Sequence, residues 1–188
     1  VAMVRNTTAS GDYSVAMGQN TSAIGDYSFT MGRRTFASGI GSVAMGSSTL
    51  AYGQLSVAMG QNTSAIGDLS FTMGGSTFAS GIGSVAMGEN TTASGDYSVA
   101  MGQNTSAIGR SSFTIGRNTF AYGDYSVAMG YQTSAIGTLS FAMGKNTIAS
   151  GDNSLVIGKF NIPVDTDLFQ IGYGQGDDDR KNVFIVDK

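Results

Sequence analysis

Glycine recurs every seven residues through most of this 188-residue chain, and that spacing limits the fold more than any other feature. Two series, Gly11 to Gly151 and Gly18 to Gly158, each step by 14 and together hold 22 of the 28 glycines. Serine fills one slot eleven times, from Ser14 to Ser154, and threonine the matching slot of the other half eleven times, from Thr7 to Thr147. Alanine stands two residues after each of those threonines, and all ten methionines share a single slot. The unit reads G-x-x-S-[VF]-[AT]-M-G-x-x-T-x-A-x. Seven residues are too few for a helix pair, and glycine at this density opposes any helix. About four residues of alternating pattern lie between Gly-led turns, which is a strand signature. Glycine in those turns accepts positive φ, and the Asp, Asn or Gln that follows suits a tight turn. One unit therefore predicts a coil of two short strands, with coils stacked about 4.8 Å apart. Ten to eleven such coils predict a β-solenoid rod roughly 50 Å long.

A slower beat overlies this one. The string SVAMGQNTSAIG starts at Ser14, Ser56 and Ser98, 42 residues apart, and a close variant starts at Ser126, 28 further on. Duplication of a three-unit block, with one unit later lost, accounts for both steps. The chain opens inside a unit, and Val4 stands where a glycine belongs. It reads as a fragment whose first residue is not the native start.

Strand parity leaves two choices of inward face, because a slip of one residue exchanges them. The Ser, Thr and Ala slots never accept a large side chain, and a 14-residue coil has little internal volume. These small residues are therefore expected inside, their hydroxyls bonded to turn backbone. The outside of one sheet then carries a continuous apolar face. It consists of Val15, Met17, Phe29, Met31, Val43, Met45, Val57, Met59, Phe71, Met73, Val85, Met87, Val99, Met101, Phe113, Ile115, Val127, Met129, Phe141, Met143, Leu155 and Ile157. Such a face exceeds the few hundred Å² of apolar patch a soluble monomer exposes. No other segment of the chain is available to cover it. Three identical parallel copies around an axis would, so a homotrimer with these residues at the interface is expected.

The repeat S-V-A-M-G-x-x-T-x-A-x-G-x-x-S over residues 1–158 resembles the head repeat of trimeric autotransporter adhesins, the YadA-like head. That resemblance implies a left-handed parallel β-roll that trimerises tightly, on a bacterial surface. Methionine stands here where that family has isoleucine. Similar repeats occur in phage tail fibres and tail spikes. Residues 159–188 leave the repeat and hold Pro163, the only proline, with 10 of the 23 charged residues. Two strands, 167–172 and 182–187, joined by an acidic loop at 175–179, are expected there, forming a cap or a transition to a following domain. The segment from Leu168 to Val186 is similar to modules that follow such repeats in phage-type fibrous proteins.

Composition removes most chemistry. Histidine and cysteine are absent, so metal, thiol and Ser-His catalysis lack their usual groups, and no cofactor, metal site or enzymatic role is expected. Ten Lys and Arg in the chain are too few for a nucleic-acid surface. No 18-residue apolar run and no signal peptide are found, so no membrane insertion is expected of this segment. Asp177, Asp178 and Asp179 read as a solvated turn rather than a Ca²⁺ site, because they lack EF-hand spacing. The aspartates that recur after glycine (Asp12, Asp26, Asp68, Asp96, Asp124, Asp152) read as turn chemistry. Tyr13, Tyr27, Tyr97 and Tyr125 either pack in turns or bind a glycan or protein. Variation concentrates in the turns, which makes Arg33, Arg34, Tyr131 and Gln132 the candidate surface contacts.

The function expected is an adhesive and structural rod, extracellular, on a bacterial surface or a virion tail fibre. Its partners would be its own copies and a host-cell surface protein or glycan. The alternatives are an ice-binding solenoid, suggested by the threonine row, and a pure spacer with recognition elsewhere. A depolymerase spike would require an acidic cleft, which the sequence does not show.

Overall fold

The computed structural model describes residues 1–3 and 5–187, so Val4, the break in the glycine series, lies outside the described residues. Two compact units, Val1–Tyr97 and Ser98–Lys188, are taken in turn. Both are all-β parallel solenoids without a helix.

In the first unit, one sheet stacks the strands Ala2–Met3, Val15–Gln19, Phe29–Arg33, Val43–Ser47, Val57–Gln61, Phe71–Gly75 and Val85–Glu89. The second sheet stacks shorter strands, Thr7–Ala9, Thr21–Ala23 and then pairs such as Phe36–Ala37 and Thr92–Ala93. Register follows the repeat: Phe71 lies beside Val57 and Val85, and Met73 beside Met59 and Met87. The second unit repeats this plan from Val99–Gln103 to Leu155–Lys159, with Ser106–Ala107 to Ile148–Ala149 opposite.

Small residues point inward, as parity and volume required. Ala16, Ala23, Thr21, Thr30, Ser42 and their equivalents are essentially inaccessible. Ala37, Ala44, Ala51, Ala58 and Ala65 form one continuous interior cluster of the first unit, and Ala121 to Ala149 with Val156 another in the second.

Two expectations about the turns and the interior need correcting. Glycines of the Gly18 series do adopt positive φ, between 103° and 134°. Those of the Gly11 series do not; a Cβ at Gly67 would instead collide with the carbonyl oxygen of Gly81 in the next coil. Close stacking of coils, rather than turn conformation, excludes a side chain there. The left-handed turn positions fall mostly on other residues, among them Tyr13, Leu55 and Leu69 at one corner and Asn62, Arg34 and Gln132 at the other. The coil-to-coil ladder rewards that conformation, as when the Leu69 amide donates to the Gln54 carbonyl at 2.8 Å. Second, the buried hydroxyls are only partly bonded. Ser14, Ser84, Ser126 and Ser154 donate to the carbonyl three residues earlier at 2.6–2.7 Å. Thr21, Thr35, Thr63 and the other inward threonines have no partner. The strand ladder already uses the amides around them, and the β-branched side chain is restricted at χ1.

Residues 159–188 show how the solenoid ends. The strand Asp167–Tyr173 continues the first sheet in 14-residue register, with Phe169 beside Leu155, Ile171 beside Ile157 and Gly172 beside Gly158. The repeat thus runs one strand past residue 158 in that sheet, a continuation legible in Leu155-Val-Ile-Gly158 against Phe169-Gln-Ile-Gly172. Asn182–Asp187 then pairs antiparallel along its edge. The second sheet stops at Ala149, and Asn161 takes the next threonine slot. Its side-chain amide accepts from the Ile148 amide at 2.8 Å and donates to the Ile148 carbonyl at 2.9 Å, as a strand would. It also donates to Gln170 at 2.6 Å, and Gln170 fills the inward slot that Val156 and Ala142 fill below it.

Candidate assembly face

The outer face of the first sheet is built by register alone. In-register parallel pairing puts each Val or Phe over the next, and each Met over the next, so two straight columns run up the sheet. The left-handed corner residue and the glycine beyond the Met column start the turn, which limits each strand to two outward apolar positions. Most of these side chains are half-buried; Met31, Met73, Met143 and Leu155 remain 39–40% exposed. The second unit has two columns of the same kind, which include Ile115, Leu155 and Ile157 and end at Phe169 and Ile171. Phe184 extends them across the antiparallel edge, its ring meeting that of Phe169 edge-on at 5.6 Å. No described segment of the chain lies over this face.

The outer face of the second sheet differs. Its positions change from coil to coil, from Ser22 with Ile24 to Phe36 with Ser38 to Leu50 with Tyr52, so no uniform column forms. Local aromatic contacts appear instead, Phe36 with Tyr52 at 5.5 Å and Phe120 with Tyr122 at 5.9 Å.

Two corner turns flank the first sheet. The corner leading into each strand carries the recurring aspartates. Five of the six reach back one coil: Asp26 accepts from the Asp12 amide, Asp68 from Gln54, Asp96 from Ile82, Asp124 from Arg110 and Asp152 from Thr138, at 2.8–2.9 Å. Their repetition has a structural cause, a side-chain rung between coils. Tyr13 and Tyr27 stack at 5.3 Å on this corner, both exposed. Tyr97 and Tyr125 are exposed at the same slot.

The corner leaving each strand carries the candidate contacts. Arg33 ends the strand Phe29–Arg33, and Arg34 follows at φ 55°, both exposed. Tyr131 ends Val127–Tyr131, and Gln132 follows at φ 53°. Arg117 sits over the Tyr131 ring at 5.8 Å, and Gln132 lines an open, shallow depression with Asn118, Phe120 and Ser134. The structure therefore brings Tyr131 and Gln132 into one small neighbourhood and places Arg33 and Arg34 at the same corner of the other unit. Sequence variation marks the Arg117-Asn118 turn as well, but not the contact of Arg117 with Tyr131, whose signal is their 14-residue separation.

Among the described residues, no cluster of His, Cys, Asp or Glu suited to a metal occurs. In the acidic loop, Asp177 pairs with Arg180 and Asp179 with Lys181. Asp179 also closes a turn, its amide donating to Gly176 and its carbonyl accepting from Gln175. Arg180 further donates to the Asn146 and Asn161 carbonyls, so its loop is tied to the end of the coil stack.

A family model described as "YadA head domain repeat (2 copies)" matches residues 9–34, 37–63, 51–70, 79–105, 107–133 and 135–161. No match is found among curated proteins.

Proposed function

The chain belongs to the YadA head-repeat family, and on that premise we propose that it is the adhesive and structural rod of a trimeric fibrous surface protein. The family is one of structural adhesin repeats. The observation that carries the proposal is the pair of Val/Phe and Met columns with no described segment over them. Each of these side chains gains roughly 1.5–3 kcal/mol when fully buried. Three left-handed rolls with their first sheets turned to a common axis would cover both columns along the whole repeat.

Attachment to a host-cell protein or glycan is assigned to the exposed corner turns around Arg33, Arg34, Tyr131 and Gln132, each repeated three times per assembly. Three weak copies of one contact reinforce one another by raising the effective concentration of the second and third. The working place is outside the cell, on a bacterial surface or a virion tail fibre. The ice-binding alternative loses support from the burial of the threonine row, since Thr21, Thr49 and Thr63 have no exposed surface to order water.

Light scattering on the purified chain tests the assembly. A trimer is expected, and a folded monomer at micromolar concentration refutes it. Met59→Asp places three carboxylates at a dry axis and should dissociate the trimer, whereas Gln61→Asp at the neighbouring corner should leave it intact. For attachment, Arg33→Ser with Arg34→Ser, and Tyr131→Ser, should lower binding to cells; Tyr131→Ser, which removes no charge, should do so with trimer melting nearly unchanged. Binding that survives every turn substitution would make this rod a spacer.

A further inference from the structure

The charges of the repeat are sorted by corner. Seven acidic residues lie in residues 1–159, and six of them (Asp12, Asp26, Asp68, Asp96, Asp124, Asp152) occupy the corner leading into the first-sheet strand. Seven basic residues lie in the same span, and six of them (Arg5, Arg33, Arg34, Arg117, Lys145, Lys159) occupy the corner leaving it. Both units show this division, and nearly all of these side chains are exposed. The two corners border the uncovered apolar columns on either side, one acidic rim and one basic rim.

Within a protomer the rims do not neutralise each other. A five-residue strand spans about 16 Å, beyond the Debye length of about 8–10 Å at physiological salt. The ion pairs found among the described residues, Arg180 with Asp177 and Lys181 with Asp179, belong to the terminal loop. The basic rim rests on its own aromatics instead: Arg117 over Tyr131, Lys145 over Phe160 and Lys159 over Tyr173, at 5.2–5.8 Å.

We infer that the acidic rim of one protomer docks on the basic rim of the next, and that this pairing makes the assembled chains run parallel. The inference rests on the trimeric reading above and concerns what orients it. When two first-sheet faces meet with coil axes parallel, rotation about that axis lays acid along base. When the axes are antiparallel, acidic rim meets acidic rim and basic rim meets basic rim. The apolar columns alone do not make this choice, because Val, Phe and Met pack in either direction. Rim charges act mainly on orientation and encounter rather than on affinity.

Acid and base share a level at two coils, whereas Asp12, Asp68, Asp96 and Asp124 stand level with the uncharged Gln19, Gly75, Gln103 and Tyr131, so elsewhere the rims meet as stripes rather than as pairs. Asp26 and Arg33 flank one strand, and Asp152 and Lys159 flank another, so a ring of protomers in register brings each pair together. Glu89, the acid of the basic rim, stands at the level where the other corner carries Ile82 rather than Asp. Arg110 shares its level with Arg117, and Asp124 lies one coil on, in contact with the Arg110 backbone.

The absence of cysteine makes the test direct. The full chain would be made with Asp26→Cys and Arg33→Cys together, and with each alone, then treated with a short bismaleimide and run on a denaturing gel. Asp152→Cys with Lys159→Cys repeats the experiment in the other unit, should the first pair disturb folding. The paired variants should give a covalent trimer, and the single variants should stay uncross-linked. Single variants that cross-link to dimers would show like rims in contact and overturn the inference. A trimer by light scattering that neither pair cross-links would also overturn it, while leaving the trimeric reading standing. A folded monomer would overturn both.

Discussion

The regular coils and the last coil solve the same problem with different side chains. In a regular coil, Ser, Thr and Ala suffice inside because the neighbour above supplies a full strand ladder. At the end of the second sheet no further strand arrives, and the interior slots change to Asn161 and Gln170. Asn161 repeats with one side-chain amide the two bonds that a strand would have made to Ile148. Gln170 fills the volume behind it, and Arg180 takes the free carbonyls of Asn146 and Asn161. The repeat is thus stabilised by neighbours and the cap by its own side chains, which is why the interior is monotonous in one region and amide-rich in the other.

The strongest way to break this comparison is to deny a regular coil its neighbour. Gly60 sits at φ 122°, and a Cβ there would run into the Gly74 carbonyl oxygen of the next coil. Gly60→Ala should cost more than about 4 kcal/mol, in the range reserved for backbone collisions and strain, or prevent folding. Gly75→Ala has open space around the added methyl and should change stability by less than about 0.5 kcal/mol, as at an ordinary surface site. Urea denaturation of the two variants reads the difference. Similar losses at both sites would mean that coil contact does not explain the glycine series.

The cap offers the next largest effect. Asn161→Thr installs the residue that the repeat uses at this slot. It takes the side-chain partners away from the part-buried Ile148 amide and carbonyl, at roughly 1–3 kcal/mol for each such group. A local loss of about 3 kcal/mol is expected, seen as roughly hundredfold faster hydrogen exchange at Ile148. Thr63→Val makes the opposite change inside a regular coil, where the hydroxyl already lacks a partner. It should stay within about 1 kcal/mol of the parent. A large loss for Thr63→Val would reveal a bond to that hydroxyl and remove the contrast between the two regions.

How much of this was legible in the sequence follows from what repeats. The inward face could be read because the coils keep Ser, Thr or Ala in these slots, with Val156 in the last coil the one larger residue. The outer columns could be read because Met, with Ile at 115 and 157, occupies one slot throughout. The reason for the Gly11 series could not, since a glycine that avoids the next coil's carbonyl and a glycine that permits positive φ look alike in sequence. The left-handed corners escaped for the converse reason: Leu55, Leu69 and Tyr13 are poor advertisements for positive φ and adopt it because the intercoil ladder rewards it. Asn161 and Gln170 were hidden by the proline and the charges around them, although both stand at the 14-residue step. The turn residues Arg33, Arg34, Tyr131 and Gln132, proposed as contacts, were legible as variable positions, but their surroundings were not, because Arg117 meets Tyr131 only once the coils are stacked.

The smallest effect concerns the rungs on the acidic corner, where regular coils also use side chains as the cap does. Asp68 accepts from the Gln54 amide at 2.8 Å through Oδ1, one coil below. Asparagine carries an oxygen at the same place, so Asp68→Asn should keep the rung and lose only a charge at an exposed corner. Its stability should match the parent within a few tenths of a kcal/mol, the scale of an exposed charge. Alanine removes the acceptor, and the exposed amide returns to water, so Asp68→Ala should cost about 0.5–1 kcal/mol. Thermal melts at equal protein concentration, together with exchange at the Gln54 amide, separate the two. If alanine and asparagine behave alike, the aspartates recur for their charge and not for the bond, and the rungs drop out of what holds regular coils together. If only alanine costs stability, the bond fixes an oxygen at this slot, and the choice of Asp over Asn is left to the charge of the rim.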